Sequence, residues 1–398
     1  MDFDQIQERH HTYSIKWDGA CQTAGTNDVL PMSIADMDFQ APQPVIAAIV
    51  QQAQHGIYGY ASEPNMTQAP QVIAQWLKKR NQWEIDPANL GYCAGVVNGL
   101  GLAIQALTKE QDAIITQTPL YGHFKIAVEA AQRRLISNPL KNQSGHFTID
   151  WQLFEQQIVD NQVKMAILCN PHNPSGRVWT SAELQQYAKI CEQHQVIILS
   201  DDIHSDLILP GNHYQPLAKA YPACTQHLIT FKSPSKTFNL AGLQFAYYYT
   251  ENEHYRQLMA DQAEYQSNPD LPNSFGVPAV IAAYQQSEAW LDQLLVYLGA
   301  NFKWLTEQIE SQTAARVTPS QATYLAWIDV SYLKVSEAQL QTALVNHGLV
   351  AQTNSDFGLT TTTGGLFVRL NYAMPRSQLA VGIQRFIATL QALAPQTV

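Results

Sequence analysis

From about residue 45 to 285 the chain alternates two apolar patterns. Stretches such as VIAAIVQQA, APQVIAQWLKKRNQW and SAELQQYAKICEQH place apolar residues at helical spacing. Between and after them lie short apolar runs rich in β-branched or aromatic residues. These are DAIITQ (112–117), MAILC (165–169), VIILS (196–200), LITF (228–231) and FAYYYT (245–250), and they predict strands. Such alternation predicts an α/β fold with a mostly parallel sheet. A long helical pattern follows at EAWLDQLLVYLGANFKWLTEQIES, then TYLAWIDV, a helical stretch and LFVRLNYA, which suit a smaller α+β unit. The irregular first 44 residues are expected to join that unit. The expected division is a large domain over 45–287 and a small one over 1–44 and 288–398.

Composition narrows the class. The 398 residues exceed one ordinary core and fit two domains, or one large domain with a smaller partner, and 46% apolar against 14% charged allows a sizeable core. A net charge of −10 argues against a nucleic-acid partner, because phosphate backbones need clustered Lys and Arg. No apolar run approaches the roughly 18 residues of a membrane span. The polar, acidic N-terminal stretch is unlike a secretory signal. Five cysteines, at 21, 93, 169, 191 and 224, form no CxxC pair. Their odd number speaks against a disulfide framework. The expectation is a cytoplasmic enzyme with reduced thiols and a small-molecule substrate, binding neither nucleic acid nor membrane.

Chemistry gathers where strands are predicted to end. In open α/β sheets, ligands bind beyond the carboxyl ends of the strands. Four strands end in TPLYG, NPHNPSG, DDIHSD and SPSK. Together they offer an aromatic ring, amides, carboxylates, hydroxyls and one amine, Lys236, wedged between two apolar runs. That set suits a planar, anionic, carbonyl-bearing cofactor. Pyridoxal 5′-phosphate has these properties: its aldehyde reacts with lysine, and its pyridine nitrogen is held protonated by a buried acid. Its phosphate needs hydroxyls and backbone N–H groups at a helix start. GYCAGVVNGLGLAIQAL offers one, with a turn at Gly95 and a helix expected from about Asn98.

NPHNPSGRVW, SDDIHSDL, SPSKTFNLAGLQ and FVRLNYAMPR resemble the fold-type I pyridoxal-phosphate enzymes related to class I and II aminotransferases. SIADMDFQAP and the order DDIH, in place of the more usual Asp-x-x-Tyr, narrow the resemblance to the cystathionine β-lyase (C–S lyase) branch, the MalY/PatB group. It runs roughly from residue 30 to 390. It implies a large domain with a seven-stranded sheet flanked by helices, and a smaller α+β domain. It further implies that Lys236 binds the cofactor aldehyde and moves the substrate Cα proton, and that Asp201 faces the pyridine nitrogen. Asn173 then serves the phenolic oxygen, with His204 where many relatives carry a tyrosine, and Tyr121 stacks on the ring. Ser233, Ser235 and the amides of Val96 and Val97 hold the phosphate. Tyr60, in YGYAS, reaches it from a neighbouring subunit, which implies a homodimer. Arg369 grips the substrate carboxylate, with Ala35, Asn173 and Tyr121 also at the substrate. One position departs from the pattern: Gln244 stands where many aminotransferases place an arginine against the phosphate.

The reaction implied is cleavage of L-cystathionine or a related cysteine S-conjugate to thiol, pyruvate and ammonia, with Tyr121 as candidate proton donor to sulfur. A class I/II aminotransferase on an L-amino acid would use the same residues, so both readings stand at this point. A metal-dependent hydrolase built on DDIHSD leaves Lys236, Asn173 and Arg369 unexplained, and a regulatory role through protein contact has no sequence feature of its own. His10 and His11, adjacent in a polar arm, read as solvated.

Overall fold

The computed structural model describes residues 2–265, 273–359 and 365–395. Its centre is a seven-stranded sheet of Leu90–Cys93 (β1), Ala113–Thr118 (β2), Arg134–Pro139 (β3), Met165–Cys169 (β4), Ile197–Asp201 (β5), Leu228–Lys232 (β6) and Ala246–Tyr249 (β7). Their spatial order is β1-β7-β6-β5-β4-β2-β3. All neighbours pair in parallel except β7, which runs antiparallel to both β1 and β6. The parallel strands therefore share one carboxyl edge, and β1 ends there too. MAILC and LITFK are buried at every position, as central strands covered on both faces should be. Each fully buried Ile or Leu contributes about 1.5–3 kcal/mol.

Five of these strands follow the expected runs within a residue or two. β1 and β3 were not foreseen. The first is a four-residue LGYC with a glycine, and the second, RLISNP, is a half-exposed edge. Neither carries an apolar run. Helices Gln43–His55, Ala69–Asn81 and Ser181–Gln193 lie where their spacing predicts. Thr180 and Glu183 close the last of these with a reciprocal capping box.

Beyond the long helix Glu288–Gln312 a second, antiparallel sheet forms from Arg316–Val317 (β8), Leu325–Asp329 (β9), Gln352–Thr353 (β10) and Phe367–Asn371 (β11), in the order β8-β9-β11-β10. The helix Arg376–Leu393 follows it. The N-terminal arm is less irregular than its sequence indicates. It forms a helix at Asp18–Ala24, and Leu30–Pro31 pairs in parallel with Leu349–Val350. His11 is exposed, but His10 is half-buried, its ring edge-on to Trp17 at 5.0 Å.

Candidate active site

The four chemically rich strand ends converge on one cavity of about 440 Å³ at the carboxyl edge of the central sheet. Its walls include Ala35, Val96, Val97, Tyr121, Asn173, Asp201, His204, Ser235 and Lys236. Arg369 enters from β11 on the second sheet and donates from Nη1 to Asn173 Oδ1 at 3.0 Å. Arg369 is therefore joined to the wall through Asn173 and is not itself part of it, and two further candidates stand apart from the walls. Ser233 lies behind Ser235: its Oγ donates to the Phe245 carbonyl at 2.6 Å and accepts the Ser235 N–H at 3.0 Å. Tyr60 is fully exposed on the surface.

Lys236 sits in a one-turn helix, Pro234–Thr237, that Ser233 caps directly after β6. Its Nζ donates to the Ala35 carbonyl at 2.7 Å. Burial pulls its pKa down to about 8, against the attraction of Asp36 and Asp201 and with the help of Arg369. Asp201, the last residue of β5, is 3% exposed. Burial pushes its carboxyl up to about 7, although Oδ1 accepts the Ile203 N–H at 3.1 Å.

Alternation along β5 turns the next acid away. Asp202 accepts from Ser200 Oγ at 2.6 Å and from the Tyr214 hydroxyl, while Asp206 accepts from Trp76 Nε1 at 3.1 Å and Thr237 Oγ1 at 3.2 Å. The acids of DDIHSD thus serve separate partners, and among the described residues no three His, Cys, Asp or Glu side chains are grouped to hold a metal ion. His204 does face the cavity. It is buried, its pKa falls to about 3 through burial and the nearby Lys236 and Arg369, and its Nδ1 has no hydrogen-bond partner.

Arg369 is 2% exposed. Besides Asn173 it donates to the Ser33 carbonyl at 2.7 Å and to the Gln352 side chain, and its guanidinium lies 4.9 Å from the Phe357 ring centre. Its Nε is buried without a partner. A buried cation that keeps an unpaired N–H suits an incoming carboxylate.

One end of the cavity is bordered by the start of a helix. The helix Val96–Leu107 begins two residues earlier than expected, at Val96, because Gly95 turns the chain at φ 116. β-branched Val96 and Val97 read poorly as helix formers, but tertiary context overrides so weak a preference. The amides of the first turn have no acceptor within the helix and border the cavity. No side chain caps that start. Ser235 and Gln244 stand beside it on the wall.

Several wall residues gave no sequence signal. His123 stacks on Tyr121 with ring centres 4.9 Å apart, and Asn98 and the buried Cys169 also line the cavity. Tyr324 donates to the same Ala35 carbonyl as Lys236, at 2.9 Å. TYLAWIDV carries a strand pattern, which says nothing of where its tyrosine reaches.

Pyridoxal 5′-phosphate fits this donor set. A buried acid on the cavity wall suits the cationic pyridine, and His204 Nδ1 is an orphaned polar atom on the same wall. Unsatisfied helix amides suit an anion, and the depressed amine suits an aldehyde. A lysine, an acid and an anion-ready helix start on one edge of a mostly parallel sheet define the fold-type I class. Within it, the family model for aminotransferase class I and II matches residues 27–386, and the chain belongs to that family. It is 34% identical to the cystathionine beta-lyase PatB of Bacillus subtilis over 98% of this chain and 100% of the relative. It is 32% identical to protein MalY of Escherichia coli over 99% of this chain and 100% of that one. Among solved structures, the pyridoxal-phosphate-bound C–S lyase of Staphylococcus hominis superposes with TM-score 0.90 at 30% identity, covering 98% of each chain. Cystalysin of Treponema denticola superposes with TM-score 0.93 at 29% identity, covering 98% of this chain and 99% of that one.

Proposed function

We propose that this protein is a pyridoxal-phosphate-dependent carbon–sulfur β-lyase acting on L-cystathionine or related cysteine S-conjugates. The observation that carries the reading is the convergence of Lys236, Asp201 and Asn173 on one cavity, with Arg369 of the second sheet bonded to Asn173. Full-length similarity to proteins named cystathionine beta-lyase supports the lyase over the aminotransferase alternative.

When bound, the cofactor supplies an electron sink for the pair left on the substrate Cα. The chain supplies the rest. Lys236 would hold the cofactor through its Nζ, and as a free amine it would take the substrate Cα proton at that nitrogen. Its depressed pKa keeps a useful fraction of free amine near neutral pH. Asp201 holds the pyridine nitrogen in its protonated form. Arg369 grips the α-carboxylate and Asn173 helps to orient it, so that the Cα–H bond is presented for removal. Tyr121, its phenol held above the ordinary range by burial, remains protonated and is the candidate donor to sulfur as the Cβ–S bond breaks. The products are a thiol, pyruvate and ammonia.

The Val96 and Val97 amides and Ser235 hold the phosphate, with Ser233 fixing Ser235. Tyr60 completes that site from a second copy in a homodimer. Its full exposure alongside Ile57, Tyr58 and Met66 supports this reading. Residues 45–287 then form the cofactor-binding domain, and 1–44 with 288–398 the smaller one. Five free cysteines suit a cytoplasmic enzyme.

Purified protein given L-cystathionine and no keto acid should release free thiol and pyruvate in equal amounts. Thiol release that depends on an added keto acid would replace the lyase by the transaminase. Borohydride should bleach a yellow protein and fix the cofactor on the peptide containing Lys236. A label elsewhere overturns the site.

A further inference from the structure

Residues 34–39 form no helix or strand, yet almost every carbonyl in the segment has a side-chain donor. Asn371 Nδ2 donates to Ile34 O and Asp36 O, both at 2.6 Å. Lys236 and Tyr324 share Ala35 O. Asn239, three residues beyond Lys236, donates to Met37 O and Phe39 O at 2.9 Å each and accepts the Met37 N–H at 3.0 Å. The active-site side of the segment is therefore tied to the lysine and its neighbour.

The opposite side is tied by charge. Arg9 Nη1 donates to Met37 O at 2.9 Å and to Asp38 Oδ1 at 2.7 Å, and Nη2 reaches Asp36 Oδ2 at 3.1 Å and Ser14 Oγ at 2.9 Å. Lys16, wholly buried, reaches Asp38 Oδ2 at 2.8 Å and Asp36 O at 3.2 Å. Trp17 Nε1 adds a bond to Asp38 Oδ1 at 2.8 Å. Two cations from the N-terminal arm thus hold two carboxylates of an otherwise irregular loop. Lys16 and Asp38 are buried and Arg9 and Asp36 partly so, and removing one partner from such a cluster leaves a charge uncompensated.

We propose that the N-terminal arm positions the active-site amine: Arg9 and Lys16 clamp residues 34–39 so that the Ala35 carbonyl is presented to Lys236 Nζ. Arg9 and Lys16 are positioning residues, acting through the loop. The inference rests on the reading of Lys236 as the cofactor lysine; the hydrogen-exchange arm of its test does not.

The test is amide hydrogen exchange on the full chain, as purified and after cofactor removal. Met37 and Asp38 carry the informative amides, because their N–H groups bond to Asn239 Oδ1 and to Ala373 O. Arg9→Gln should speed exchange at both by tenfold or more while strand 165–169 is unchanged. Arg9→Lys, which keeps the charge but loses the fork, should fall between. In the same variants the rate at which borohydride-fixable cofactor forms on Lys236 should drop several-fold. Exchange at Met37 and Asp38 equal to the unmodified protein overturns the clamp, as does a rise spread equally over the central sheet. If Arg9→Gln does not fold, unchanged exchange in Arg9→Lys overturns it alone. Failure of the borohydride label at Lys236 in the unmodified protein would instead strike the cofactor reading.

Discussion

Replacing Asp201 with Asn should stabilise the cofactor-free protein and weaken the holoenzyme. The acid is 3% exposed and its pKa is raised from 3.8 to about 7, chiefly by burial. The folded state therefore holds the proton more tightly than the unfolded chain does. The stability this lends is full below the ordinary carboxyl pKa and is lost as pH rises through about 7. Relative to a neutral isostere, the acid then costs about 2 kcal/mol at pH 5.5, where folding must keep it protonated, and about 4 kcal/mol at pH 8.5, where it is ionised. Asn keeps the oxygen that accepts the Ile203 N–H. Lys236 loses the attraction of Asp201, which takes back part of the gain, so the net at pH 8.5 is about 2–4 kcal/mol. For a chain of this length that is a Tm rise of about 2–4 °C. Scanning calorimetry of cofactor-free protein at both pH values measures it. A variant no more stable than its parent at pH 8.5, or a gap that does not shrink toward pH 5.5, would refute the reasoning. With cofactor the sign reverses: a lost buried charge pair of about 3 kcal/mol lowers kcat about 100-fold.

Three further outcomes follow from the same geometry. Arg369→Lys keeps a charge but not the planar fork, so kcat/KM should fall about 10- to 100-fold, mostly in KM, in steady-state assays. Tyr121→Phe should slow substrates with poor thiolate leaving groups and spare good ones; equal rates across a leaving-group series would end the donor role. Gly95→Ala meets no neighbouring atom, yet its φ of +116 costs a side-chain-bearing residue about 1–3 kcal/mol, so cofactor retention on gel filtration should fall.

The strands that build the cavity floor were legible because they are buried on both faces and read as unbroken apolar runs. The turns after them were legible because their polar residues follow such runs directly. β1 and β3 escaped because a four-residue strand with a glycine and a half-exposed edge carry no such pattern. Ser233 and Ser235 illustrate a second limit. Two hydroxyls two residues apart look alike in sequence, and only the short helix decides that one caps it while the other meets the cavity. The contacts of Arg9 and Lys16 with Asp36 and Asp38 span 20 to 30 positions of irregular chain, where no periodicity reports a partner.

Across the site, burial drives the ionisable groups toward their neutral forms: Asp201 and Tyr121 upward, Lys236, His204 and Arg369 downward. Burial is the largest cause of all five shifts, and it has a functional consequence. Groups held away from water at a cost bind a ligand that supplies the missing partner more strongly than the same groups in solvent would. In the proposed function the acid would gain from a cationic ring, and the arginine from a carboxylate at its unpaired Nε. Where the helix Val96–Leu107 starts, the described wall residues offer no such charge. Gln244 stands on that wall, and neutral donors are what the helix start and Ser235 provide. An anion held by amides and hydroxyls alone leaves room for one more donor, which is the physical case for a tyrosine arriving from a second subunit.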